Sequence, residues 1–180
     1  MEISKQPITF PIKMGIILGI IYCICIYVEN RFFSSDILVF GVTKAFGYLI
    51  IISGIFYTAF TIKKEYGGYI TFQESLRGML VVIAIFELFY VIFNLVYDKY
   101  IDPEFFMRLK TSTLTYLQKN HFSKEDIDIK MKNFEGAGKA TFWTVVQSYG
   151  FSIIIDAVFA VIFASILKKN PIVTDNQINP

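Results

Sequence analysis

Apolar residues in this chain gather into four long runs, Ile12–Val28, about Val39–Ile62, Gly78–Tyr97 and Thr141–Leu167, and the polar residues collect between them. Each run falls near the range of about 17 to 25 residues that a helix needs to cross a hydrocarbon core. The pattern predicts an all-α fold: an integral membrane four-helix bundle, forming a single domain over residues 1–180.

The stretch "EYGGYITFQESLRG", Glu65 to Gly78, shows how two runs are joined. Lys63 and Lys64 end the second span at a water interface, and Gly67 with Gly68 can take the left-handed conformations that stop a helix. Thr71, followed three residues later by Glu74, fits a capping box, so the third helix is expected to start there. Tyr66 and Tyr69 suit the aromatic belt of a membrane interface.

The long connection between the third and fourth runs carries helical signals of its own. In "IDPEFFMRLKTSTLTYLQKN" Asp102 is the expected N-cap, Pro103 the first helical residue, and Phe106, Leu109, Thr113, Tyr116 and Leu117 share one face. A second start follows in "SKEDIDIKMKNF", where Ser123 and Asp126 make another capping box, with Gly136 and Gly138 as the stop. An extramembrane amphipathic helical hairpin is therefore expected over about residues 103–135. Its apolar face must lie on the bilayer, on the spans or on a partner.

Composition agrees with a bilayer. Hydrophobic residues are 54% of the chain, mean hydropathy is +0.53, and charged residues are 18%, against about 25% in a soluble domain. The basic, then apolar, amino terminus lacks a small-residue cleavage site, and the bulky Tyr22 before Cys23 is wrong for lipoprotein processing, so the first span is read as uncleaved. Cys23 and Cys25, two residues apart on a helix, point to roughly opposite sides and cannot share a metal or a disulfide. A net charge of +2 is too small to imply nucleic acid as a partner. The ends of the first span, Lys5 and Lys13 against Arg31, favour N-in and C-in topology. The wider tally runs the other way, with only seven of the seventeen basic residues on the cytoplasmic side.

The segment "KKEYGGYITFQESLRGMLVVIAIFELFYVIFNLVYDKYIDPEF" resembles domain of unknown function family 4199, a family of bacterial inner-membrane proteins. The likeness rests on the connector of Gly67 to Phe72, the exit motif of Ile101 to Phe105, the charged amphipathic segment after it and the final apolar span. The resemblance implies a four-helix protein of the inner membrane and brings no catalytic residues with it.

Enzyme signatures are absent from the motifs. His121, the one histidine, sits in the expected turn of the hairpin, with no nucleophile elbow, phosphate loop or metal-ligand pair beside it. No catalytic residue, cofactor or metal is expected.

Two acidic residues stand inside spans, where an ionised side chain costs about 2.5 to 3.5 kcal/mol at mid-bilayer and normally faces protein or water. At 1.5 Å per residue Glu87 lies roughly 14 Å above the start of the third span, and Asp156 roughly 16 Å above the end of the fourth. In an up-and-down bundle those two ends share one side, so the carboxyl groups are expected at nearly equal depth. Ser152, Asp156, Ala160 and Ala164 recur every four residues, a small-residue stripe that admits a neighbouring helix. Ala84, Glu87, Asn94 and Asp98 share a polar face of the third helix.

If the two faces meet, the carboxyl groups cannot easily both be ionised. They would then either form a neutral pair holding two helices together or act as a proton or cation relay, with Asn94 and Gln147 as polar steps toward the outer face. Lys44, near a span end, is expected to snorkel to the headgroups. Gly15 and Gly19 form GxxxG, a close-packing motif within the bundle or with a second copy. Two functions follow: a non-enzymatic membrane component contacting lipid or a membrane-protein partner, or a small proton- or cation-coupled transport protein using Glu87 and Asp156.

Overall fold

Thr71 sets the frame of the bundle, because it starts the helix around which the others pack. In the computed structural model, which describes residues 9–132, 134 and 142–169, the Glu74 amide donates to Thr71 Oγ1 at 3.3 Å. The Thr71 amide in turn donates to Glu74 Oε2 at 2.9 Å. Lys5, Gly136, Gly138 and Thr141, which enter the sequence reading of orientation and helix limits, lie outside the described residues.

Six helices follow in chain order: α1 (Thr9–Val28), α2 (Ile37–Glu65), α3 (Phe72–Val96), α4 (Phe105–Lys119), α5 (Lys124–Lys132) and α6 (Phe142–Leu167). Wider π-helical turns, Glu29–Phe33 and Tyr97–Ile101, extend α1 and α3. The extended α1, α2, the extended α3 and α6 are the four helices long and apolar enough to cross a membrane. The helices α2 and α3 begin earlier than the hydropathy runs because Asp36 and Thr71 cap them: Asp36 Oδ1 accepts from the Leu38 and Val39 amides.

The bundle is apolar on both its inner and outer faces. Ile51, Ile55, Met79, Val82, Ile83 and Phe86 are fully buried, while Phe46, Phe151, Ile154 and Ile166 are each more than 60% exposed. A helix that is apolar all round suits a lipid surround, and small residues then mark where backbones approach. A Cβ on Gly15 would meet Ile85 Cβ at 2.8 Å, and one on Gly19 would meet Phe89 Cγ at 2.8 Å. The GxxxG motif therefore seats α1 on α3 within the chain. Ala160 and Ala164 are fully buried in the core shared by α2, α3 and α6.

Between α2 and α3, Gly67 and Gly68 adopt φ of +68° and +88°, conformations open to glycine at little cost. The connector is also tied to the end of α6. The Ile70 amide donates to the Lys169 carbonyl at 3.1 Å and the Lys169 amide to the Ile70 carbonyl at 2.9 Å, the single β-bridge among the described residues.

At the opposite end, α4 lies against the span ends. Phe105 is buried with Phe40 and Tyr97, and Phe106 and Leu109 pack on that cluster. Of the surfaces expected for the hairpin's apolar face, α4 uses the spans. Asp102 does not cap α4 with its side chain; Glu104 holds the cap position without a side-chain bond. Ser123 does cap α5, its hydroxyl accepting from the Asp126 amide at 3.1 Å. No residue of α5 is buried.

Candidate functional site

The α3–α6 seam brings Glu87 and Asp156 together. Glu87 faces inward beside Phe86 and Ile83, and Asp156 comes from the stripe that also carries Ala160 and Ala164. The two residues are 4% and 2% exposed, and the Glu87 carboxyl group is a neighbour of both Asp156 and Ser152. From α2, the Tyr48 hydroxyl donates to Asp156 Oδ1. A second link between the same helices lies close by, where the Tyr149 hydroxyl donates to the Ala84 carbonyl at 2.9 Å.

Two ionised carboxylates at this separation repel, and no cation contacts either one among the described residues. A proton held between them converts the repulsion into a hydrogen bond. Glu87 Oε2 and Asp156 Oδ2 remain buried without a hydrogen-bond partner among the described residues.

The other polar positions of the relay reading stand elsewhere. The Asn94 amide group donates to the Tyr90 carbonyl of its own helix at 2.8 Å, and Gln147 is exposed. Next to the carboxyl pair the structure has tyrosines. Tyr22 of α1 stacks on Tyr90 at 5.4 Å between centroids and meets Phe86 edge-on. Tyr22 also lies in the field of Glu87, Asp156 and Glu29.

A second buried polar cluster occupies the end of the bundle nearer α4. Glu29 and Asn30, in the π-helical turn, are 5% and 1% exposed. Lys44, expected to snorkel to the headgroups, is paired with Glu29 at 3.3 Å. The reason is geometric. Lys44, Gly47, Tyr48, Ile51 and Ile55 follow one face of α2, the face turned to the core, and a Glu29 carboxylate oxygen occupies the space that a Cβ on Gly47 would take. Asp98 adds a further negative charge near Lys44.

Sequence reasoning missed Glu29, Asn30 and Tyr48. The signal that could have found Tyr48, and the inward face of Lys44, is their three-and-four spacing with Ile51 and Ile55.

At the α3–α4 corner, Asp102 accepts from both terminal nitrogens of Arg108, at 2.9 Å for the Nη1 contact. The Tyr97 hydroxyl donates to Asp102 Oδ2 at 3.1 Å. Hydrogen bonding to the Arg108 guanidinium holds the Asp102 carboxyl below the usual carboxylate range. The same contact raises the guanidinium's own value.

Among the described residues, no three His, Cys, Asp or Glu side chains gather in a way that could hold a metal ion. His121 sits in the α4–α5 turn with φ of +57°. Cys23 donates weakly to the Phe89 carbonyl at 3.8 Å and, like Cys25, is a free thiol.

A family model described as "Protein of unknown function (DUF4199)" matches residues 12–169 of the chain. No curated protein and no solved structure matches it.

Proposed function

The chain belongs to the DUF4199 family, and we propose that it is a non-enzymatic, multi-pass component of a bacterial inner membrane, whose spans and extramembrane helices contact lipid or a protein partner. The observation that carries this reading is the enclosure of the carboxyl pair. Glu87 and Asp156 close on each other in a packed seam with Ser152 and Tyr48, at 4% and 2% exposure. So enclosed a contact acts as a latch between helices, and interhelical hydrogen bonds of this kind contribute about 0.6 kcal/mol on average. The amino and carboxy termini are assigned to the cytoplasmic side, on the strength of Lys5 and Lys13 against Arg31 at the ends of the first span.

A second reading, proton movement through the bundle, draws on a different observation. Two orphaned carboxyl oxygens at mid-span lie next to the Tyr22–Tyr90 stack. Beyond the stack, the titratable groups Glu29, Lys44 and Asp98 continue toward the α4 end. Intramembrane ionisable groups in such a line are what proton relays are made of.

One experiment separates the two readings. The full chain is reconstituted in liposomes containing a pH-reporting dye, and a pH gradient is imposed. The membrane-component reading expects acidification at the rate of protein-free vesicles, with Glu87→Gln indistinguishable from the parent. A flux above that background that Glu87→Gln removes would overturn it in favour of the relay.

A further inference from the structure

Where the α1–α2 corner faces α4, the fold leaves a groove of about 630 Å³, inside the range of roughly 300 to 1,000 Å³ typical of small-molecule sites. It opens at the level of the span ends. One wall is the corner, with Asp36; the other is α4, with Ser112, Tyr116 and Lys119. Leu38 and Met107, also in the lining, are 59% and 67% exposed.

The groups still free to bind in this groove are of two kinds. Asp36 spends Oδ1 on the α2 cap, which leaves Oδ2 as an acceptor bearing negative charge. The hydroxyls of Thr111 and Thr115 donate to backbone carbonyls of their own helix, so toward the groove their oxygens can only accept. On the α4 wall the free donors are the Ser112 and Tyr116 hydroxyls and the Lys119 ammonium. The guanidinium of Arg108 is already neutralised by Asp102. An uncompensated negative charge therefore faces an uncompensated positive one, with apolar side chains beside them.

From this pairing we infer that the groove binds the headgroup of an aminophospholipid such as phosphatidylethanolamine. The primary ammonium is held by Asp36 and the phosphodiester by Lys119, Ser112 and Tyr116, and the acyl chains run over Leu38 and Met107. Charge complementarity selects the class. An anionic headgroup satisfies Lys119 but is repelled by Asp36. The quaternary ammonium of phosphatidylcholine carries no N–H to donate to the Asp36 carboxylate. The inference deepens the lipid-contacting part of the proposed function and rests on it.

The test is native mass spectrometry of the full chain released from vesicles of equal parts phosphatidylethanolamine, phosphatidylcholine and phosphatidylglycerol. The parent should retain about tenfold more phosphatidylethanolamine than phosphatidylcholine, the scale of one charge-assisted hydrogen bond. Asp36→Asn, which keeps a good N-cap, should bring the two near parity. Lys119→Gln should lower retention of all three lipids while leaving their ranking unchanged. Equal retention by the parent, or a preference that survives Asp36→Asn, would sink the inference and leave the membrane-component reading standing. A chain that neither floats with vesicles nor carries any phospholipid would sink both.

Discussion

Two aspartates of this protein each accept a tyrosine hydroxyl, Asp102 from Tyr97 and Asp156 from Tyr48, and they differ in the third partner. For Asp102 it is a guanidinium six residues away in the chain; for Asp156 it is another carboxyl group, from a helix far away in sequence. At the corner a cation supplies the balancing charge, and the carboxylate stays ionised. Within the seam no cation contacts either carboxyl group among the described residues, and a proton between the two would replace their repulsion with a hydrogen bond while leaving one negative charge on the pair. The difference follows the surroundings: Arg108 keeps part of its side chain in water, whereas a cation between α3 and α6 would have to be desolvated completely.

The widest separation between the two sites should come from Asp156→Ala. It leaves Glu87 and Tyr48 without their common partner and opens a void in the seam, so a loss of about 2 to 4 kcal/mol is expected in reversible unfolding from bicelles. A loss under 1 kcal/mol would mean that the pair does not hold the helices.

Asp102→Asn preserves shape, removes the charge and turns one of the two accepting oxygens into an N–H donor that faces the Arg108 and Tyr97 donors. With Arg108 about a third exposed, the expected cost is about 1 kcal/mol. The pH dependence has a definite sign. A carboxyl whose folded value is depressed contributes fully above the ordinary Asp value of about 4, and the contribution fades as pH falls through the lower folded value. The gap between parent and Asp102→Asn should therefore be constant from pH 7 to about 5 and close in stronger acid. A gap that widens on acidification would contradict the assignment.

The smallest effect belongs to Glu87→Gln. Its amide can donate to Asp156 as a protonated Glu87 does, so stability should stay within about 0.6 kcal/mol of the parent. Neutralising a carboxyl should thus be nearly silent in the seam and measurable at the corner.

Much of this arrangement can be read in the chain. Runs of apolar residues mark the spans, and the boxes at Thr71 and Ser123 are local patterns whose partners lie three residues away. Glu87 and Asp156 are legible because helical rise converts residue number into depth, and the four-residue stripe through Ser152, Ala160 and Ala164 marks the face of α6 that another helix approaches. The Glu29–Lys44 pair is harder to see. Hydropathy treats both residues as span ends, and only the packing of α1 on α2 reveals that the π-helical turn carries Glu29 inward over Gly47. Asp102 misleads for a related reason: Asp before Pro is a good helix start, but the nearby guanidinium competes for the same carboxylate. The pairing of Ile70 with Lys169 leaves no trace in side-chain pattern, since both of its hydrogen bonds are made by backbone.

That backbone pairing fixes more than a loose end. It joins the residues just before α3 to those just after α6, two antiparallel helices, and so sets the register between them, as a vernier does between two scales. A slip of a single residue along α6 moves it about 1.5 Å, enough to part the bridge and to carry Asp156 off the level of Glu87. The mid-membrane meeting of two acids is thus gauged from the membrane's edge, by two amides and two carbonyls.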